Sequence, residues 1–194
     1  MGIVLVIVVN NYNLSLQQHN IKPNYLLTNE ETDRLLIKKV TQTHFQEWLP
    51  FHKEPLSSQF WSGLPKDPIQ ACQEQFNRIF ERYDSGAGGM NALIHKESNM
   101  LIGLAGLLIQ NIDHQEELEI GYSILPKYWR QGYAFEAASA CKNVAFQNNW
   151  AESLISIIQV NNLPSQRTAL KIGMSIDGST TYKKNPVNIF RIRK

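Results

Sequence analysis

The sequence predicts a mixed α+β fold: a mostly antiparallel sheet, one parallel crossover within it, and helices packed against it. Three observations carry this. Apolar and β-forming residues run through 90–95, 100–110 and 118–125, joined by short polar connections too brief for crossovers, so these segments form an antiparallel meander. Residues 133–147 then show helical spacing and residues 154–160 an apolar strand, which makes a strand–helix–strand unit with a parallel return. Strand-like runs at 174–182 and 188–192 close the chain as a hairpin.

Composition bounds the class. A chain of 194 residues suits one domain with a full core. With 43% hydrophobic and 19% charged residues it reads as globular rather than disordered. A net charge of +2 is too small to imply nucleic-acid or membrane binding. Cys72 and Cys141 have no metal-ligand spacing and no CxxC pattern, so they read as reduced cysteines of a cytoplasmic protein. His44, His52, His95 and His114 are scattered and fit no metal pattern; no metal is expected.

Taken in order, residues 3–9 are a continuous apolar run, shorter than the roughly 20 residues a membrane span needs. Residues 1–29 are expected to be an N-terminal extension or a peripheral strand, and residues 30–194 a single domain. Residues 32–40 read as the first domain strand. Thr41 or Thr43 caps a short helix through Phe45 and Trp48, which Pro50 is expected to end. Residues 51–68 form a proline-rich loop whose Phe60 and Trp61 either line a cleft or pack over the core. Residues 69–83 make a helix with Cys72, Phe76, Ile79 and Phe80 on its apolar face. The glycine cluster at 85–89 lacks the lysine and hydroxyl residue of a phosphate loop and is expected to be a flexible connector. Gly103 and Gly106 imply a bulge or a close backbone approach inside their strand. Residues 111–116 read as a polar turn. Late in the chain, Pro164 suits the first turn of a helix over 165–172, with Gly173 as its cap. Lys183, Lys184, Arg191, Arg193 and Lys194 are expected to guard a solvated edge strand.

The most informative stretch is 118–137. A strand ends at Pro126, Gly132 permits a tight backbone corner, and a helix starts at Tyr133. Free backbone N–H groups and the positive end of the helix dipole converge there, as a phosphate or pyrophosphate requires.

Three stretches in order now resemble one family. They are Thr32-Asp33-Arg34-Leu35-Leu36-Ile37; Glu119-Ile120-Gly121-Tyr122 through Tyr128-Trp129-Arg130-Gln131-Gly132-Tyr133-Ala134-Phe135-Glu136-Ala137; and Asn162-Leu163-Pro164-Ser165 with Lys171-Ile172-Gly173-Met174. The chain is similar to the GNAT superfamily of N-acetyltransferases, and within it to the ribosomal-protein-alanine acetyltransferase branch. The resemblance covers about residues 30–194.

It implies a GNAT fold, with a splayed parallel strand pair and helices on both faces, and acetyl-CoA as cosubstrate. The superfamily's pyrophosphate loop maps to residues 129–134, with Trp129 departing from the usual first position. The resemblance implies that Gln131, Gly132, Tyr133 and Ala134 hold the pyrophosphate and that Arg130 adds charge. It further implies that backbone near Ser123 and Leu125 binds the pantetheine arm, that Asn162 contacts that arm, and that Ser165 lies near the sulfur. As bare residues, Asn162 and Ser165 read equally as capping residues of the last helix. The superfamily's tyrosine acid falls at Ala169 here and is missing.

An amine attacking a thioester must lose a proton, and Glu119, on the strand beside the thioester, is the candidate base. Its plain alternative is a surface acid, since Glu116 and Glu117 adjoin it. Glu136 fits a first-turn acid facing the helix dipole. The reading is therefore an acetyl-CoA-dependent N-acetyltransferase acting on a protein N-terminus or a small amine, as monomer or homodimer. A non-catalytic acyl-CoA-binding module is the alternative, and an RNA- or ribosome-associated binding protein is disfavoured by the charge.

Overall fold

In the computed structural model, residues 24–194 are described; the apolar run at 3–9 and the rest of residues 1–23 lie outside the described residues. A single seven-stranded sheet has the order β1-β2-β3-β4-β5-β7-β6. Its strands are β1 (Leu35–Lys39), β2 (Gly88–His95), β3 (Leu101–Ile112), β4 (Gln115–Ile124), β5 (Ser153–Gln159), β6 (Ser175–Tyr182) and β7 (Asn185–Arg193). All neighbours pair antiparallel except β4 and β5. This is the mixed architecture expected from the sequence.

Helices α4 (Tyr133–Gln147) and α5 (Leu163–Lys171) cover one face, and α1 (Phe45–Lys53) and α3 (Pro68–Ser85) the other; α2 (Pro55–Ser58) is a single turn after α1. Strand alternation feeds both layers: Leu93 packs with the α4 side, Ala92 and Ile94 with the α1 side. α4 lies close to the sheet because Ala137, Ala138, Cys141 and Ala145 along its stripe are small and fully buried. Upstream, Leu27 is also part of that core and Tyr25 packs edge-on against Trp150.

Several local expectations are corrected. Pro50 sits inside α1 instead of ending it. A proline in a helix interior costs about 3 kcal/mol. Burying Phe45, Trp48, Leu49 and Phe51 at about 1.5–3 kcal/mol each outweighs that. α3 begins at Pro68 because the Asp67 carboxylate accepts from the N–H groups of Ile69 (2.7 Å) and Gln70 (3.0 Å), and it ends at Gly86 in the left-handed conformation. The glycine cluster is no flexible connector: Gly88 and Gly89 already belong to β2. A Cβ on Gly106 would meet the Gly89 carbonyl at 2.0 Å, so the close approach expected there is real, and β2 and β3 shift register beside Gly103.

Strands β3 and β4 run longer than read from the sequence. Only Asp113 and His114 separate them, both at positive φ, as a two-residue hairpin turn of the primed kind needs. Likewise β7 lies inside the sheet, between β5 and β6, not at its edge. Arg191 is correspondingly enclosed, pairing with Glu117 (2.8 Å) and Asp177 (2.6 Å).

Candidate active site

The parallel pair β4–β5 is joined at one register position, Glu119 opposite Ile155, and beyond it the strands part. Past that point the Ser156 hydroxyl donates to the Ile120 carbonyl (2.9 Å), and the Trp129 indole donates to the Ile124 carbonyl (2.6 Å). These carbonyls therefore face the gap, while their neighbours face β3. The Leu125 N–H donates to Ile102 and its carbonyl accepts from Tyr128. With Leu104 opposite Ser123, the two-residue period of an antiparallel ladder turns the Ser123 main chain toward β3 as well. The main-chain groups aimed into the gap are thus those of Ile120, Tyr122 and Ile124, the Ile120 carbonyl being taken by Ser156. The sequence expectation of Ser123 and Leu125 is displaced by one residue.

At one end of the gap lies the glycine corner. Arg130 (φ 61°) and Gly132 (φ 86°) both take left-handed backbone, and α4 starts at Tyr133. A turn of this hand with a following helix presents successive N–H groups to an anion. Arg130, Gln131 and Gly132 are exposed, Ala134 is half-buried and Tyr133 is buried. The corner is braced by residues about a hundred positions earlier. Glu136, in the first turn of α4, accepts from the Thr32 hydroxyl (2.5 Å), the Arg34 main-chain N–H (2.9 Å) and the Arg34 Nε (2.7 Å). Arg34 also donates to the Gln131 carbonyl (3.0 Å) and lies 4.2 Å over the Tyr133 ring. Burial opposes ionisation of Glu136, but the hydrogen bonds from Thr32 and Arg34 prevail and hold its carboxyl below the usual range.

On the α3 side the gap opens into a cavity of about 460 Å³. Glu119, Ser123, Asn162 and Ser165 all border it, and Phe60 and Trp61 form part of its wall. Trp61 also packs on Phe51, so both readings of that loop apply. Glu119 is held by Gln110, whose amide N–H donates to its carboxylate at 2.6 Å. The Gln110 oxygen accepts from Tyr182 (2.8 Å) and Arg82 (3.2 Å), which fixes which end of the amide meets Glu119. Burial pushes the Glu119 carboxyl above its ordinary value, against the hydrogen bonds from Gln110 and the Ile157 N–H. Gln75, almost fully buried, takes the Trp48 indole and His52 Nε2 on its oxygen (2.7 Å each), leaving its amide nitrogen toward the cavity.

Asn162 caps α5, its side-chain oxygen accepting from the Ser165 N–H at 3.2 Å, and it borders the cavity at the same time. Ser165 sits in the first turn of α5, where its carbonyl accepts from the Tyr122 phenol at 2.8 Å. Ala169 is fully buried. Cys72 and Cys141 are free and buried, their thiols pushed up to about 12 by burial.

Sequence reading missed Arg34 as the brace, Gln110 and Tyr182 as the holders of Glu119, and Tyr122. A two-residue turn at Asp113-His114 would have placed Gln110 diagonal to Glu119, because Leu108 is then directly opposite it.

Comparison with known proteins shows the family. Residues 34–175 match the family model described as an acetyltransferase (GNAT) domain. The chain is 32% identical over 132 residues to the protein YkkB of Bacillus subtilis strain 168, covering 68% of this chain and 75% of that one. It is 22% identical over 173 residues to the N-acetyltransferase YoaA of the same organism, covering 84% and 97%. Among solved structures it is similar to RimL, a ribosomal L7/L12 α-N-protein acetyltransferase in complex with coenzyme A, at a TM-score of 0.66 and 14% identity over 85% of this chain and 97% of that one. With a matching family model over most of its length, the chain belongs to the GNAT acetyltransferase family.

Proposed function

We propose that residues 30–194 form an acetyl-CoA-dependent N-acetyltransferase that moves an acetyl group onto a protein α-amine or a small primary amine by direct attack on the thioester. The observation that carries this is Glu119: an enclosed carboxyl with a raised pKa, at the point where β4 and β5 part and open into a cavity. In this reading the N–H groups of Gln131, Gly132, Tyr133 and Ala134 hold the pyrophosphate, with Arg130 beside them. The pantetheine arm lies in the gap against the main chain of Tyr122 and Ile124, next to Asn162 and Ser165. A gap-facing N–H also supplies a donor to the oxyanion.

Glu119 takes the amine proton, directly or through a water. A carboxyl above its ordinary value is a better base for this than a solvated one. An α-amine, with a pKa of about 7.7–8.0, is partly neutral at pH 7, whereas a lysine amine near 10.4 is not, so the α-amine is the easier acceptor. The buried reduced thiols fit a reducing cytoplasm.

The test is thiol release from acetyl-CoA with a panel of amines and N-terminal peptides. Glu119→Gln keeps an acceptor for Gln110 and removes the base. Turnover is expected to fall about 100-fold or more while the Kd for coenzyme A holds. Equal turnover in the variant removes Glu119 from the mechanism.

A further inference from the structure

Proton removal by Glu119 uses the β4 side of the cavity, and the α3 side carries polar groups that this step does not need. Gln75, Arg78 and Arg82, spaced by three and four residues, share one face of α3, and all three border the cavity. That face lies beside the apolar stripe of Cys72, Phe76 and Ile79, which is buried in the core.

Gln75 is 7% exposed, and its oxygen accepts from the Trp48 indole and from His52 Nε2 at 2.7 Å each. An indole N–H can only donate, so the oxygen end of the amide is fixed and the NH2 is the end left over. Burial lowers the pKa of His52, so its ring is neutral and donates through Nε2. Among the described residues the Gln75 NH2 has no partner, and Gln75 borders the cavity. It is a sheltered, immobilised pair of donors for whatever occupies that space.

Charge points the same way. The cavity wall holds three cations, Arg78, Arg82 and Lys183, against one acid, Glu119. Arg82 is committed: it donates to the carbonyls of Ala87 (2.8 Å) and Ile109 (3.0 Å) and to the Gln110 oxygen (3.2 Å). Arg78 is not. Its side chain is 51% exposed, and its ion-pair contact among the described residues is Glu74 at 3.8 Å, beyond hydrogen-bond range. After burial, the charge of Arg78 also lowers His52, so the guanidinium lies within electrostatic reach of the ring that holds Gln75. Phe60, Trp61 and Ile79 add apolar wall, and the Asn185 amide donates to the Phe60 carbonyl (2.8 Å), tying that loop to the β6–β7 hairpin.

We propose that the acceptor is a small primary amine carrying a carboxylate, with its amine at Glu119 and its carboxylate held by the Gln75 NH2 and the Arg78 guanidinium. This rests on the transfer reading above. The cavity wall has opposite character on its two sides: an acid on β4 to take a proton, and donors with a free cation on α3. Neither an amide NH2 nor a guanidinium can accept a hydrogen bond, so together they select an anion or a carbonyl, and the positive charge selects the anion. A cavity of about 460 Å³ has the size of a small-molecule site. The excess of cations disfavours a polyamine, whose further ammonium groups would meet Arg78, Arg82 and Lys183.

The experiment measures thiol release from acetyl-CoA with α-, β- and γ-amino acids, the carboxamide of each, N-terminal tripeptide amides and spermidine. Each kcat/KM is corrected for the neutral fraction of the amine. In the wild type the best amino acid is expected to exceed its own carboxamide by about tenfold or more, and spermidine to be poorer than either. Arg78→Gln, at a half-exposed position that the core does not need, is expected to cut that ratio to about twofold, mainly through KM, and Arg78→Glu to invert it. Gln75→Glu keeps an oxygen for Trp48 and His52 but sets a second oxygen where the NH2 stood, and is expected to erase the preference as well. A wild type that treats acid and carboxamide alike, a tripeptide amide that outruns every amino acid, or an undiminished ratio in Arg78→Gln overturns the proposal and leaves the transfer reading intact. A wild type that binds coenzyme A yet releases no thiol with any amine overturns the transfer reading, and this assignment with it.

Discussion

Glu136→Gln tests the brace beneath the glycine corner. The Glu136 side chain is 14% exposed and meets Arg34 Nε at 2.7 Å and the Arg34 terminal nitrogen at 2.6 Å, while its other oxygen takes Thr32 and the Arg34 N–H. Glutamine retains one acceptor for Thr32 and the main chain, but its NH2 then faces two guanidinium donors. Two charge-assisted bonds are lost, each about 1.5–3 kcal/mol when sheltered. Arg34 is 42% exposed, so water recovers part of its side. The expected loss is about 2–3 kcal/mol, or roughly 4–12 °C in Tm for a chain of this size. The sign with pH follows from the lowered carboxyl. Above the unfolded pKa, near 4.5, Glu136 is ionised in both states and its full contribution is present. As pH falls through the depressed folded value the contribution is lost, so the gap between wild type and variant closes in acid. Thermal unfolding by circular dichroism across pH reads both effects. A Tm within about 1 °C of wild type at pH 7, or a gap undiminished at pH 3, refutes the argument.

Other outcomes follow from the same geometry. Gly132→Asp forces a side chain into a φ of 86° and sets a carboxylate where the anion would lie; calorimetry is expected to show no coenzyme A binding, and retained affinity sinks the corner assignment. Arg191→Met leaves Glu117 unpaired and Asp177 with only the exposed Arg193 at 3.6 Å, costing about 3 kcal/mol and roughly 6–12 °C in Tm; a loss under about 2 °C shows that water replaces the arginine. Native protein is expected to resist a thiol reagent at pH 8 that labels both of its cysteines once denatured, because burial holds both thiols protonated; fast native labelling contradicts that burial.

What was legible in the sequence was local. The bounds of α4 and the glycine corner follow from one residue that tolerates left-handed backbone and from small residues at helical spacing after it. What was not legible depended on register or on distant partners. Thr32 and Arg34 look like the mouth of a strand, and nothing near them announces that they grip Glu136 more than a hundred residues later. Ser123 and Leu125 were displaced by one residue from the gap-facing positions because the parity of β4 is set by its hairpin with β3. Read as a six-residue loop, 111–116 leaves that parity open; closed to Asp113-His114, it fixes every side of the strand. Pro50 misled for a different reason: propensity alone cannot weigh one lost hydrogen bond against four buried side chains.

The gap itself runs against the rule that buried main-chain groups are paired. An N–H left without a partner in a sheet costs about 1–3 kcal/mol, so two strands that part need a reason to stay apart. The carbonyls on the β4 side are partly answered from within, Ile120 by Ser156 and Ile124 by Trp129. At the base, Arg191 ties Glu117 of β4 to Ser153 of β5 and to Asp177 of β6, holding the strands together where they meet. At the mouth, Arg34 and Glu136 tie the start of α4 to the segment that leads into β1. The Tyr122 phenol props α5 on one face. These contacts tie down the rim of the gap, toward which the main chain of Tyr122 and Ile124 is turned. In the function proposed above, a ligand with amide carbonyls spaced along an extended arm would pair with these strand edges, and the free energy of that pairing would be available to fix its reactive end beside Glu119.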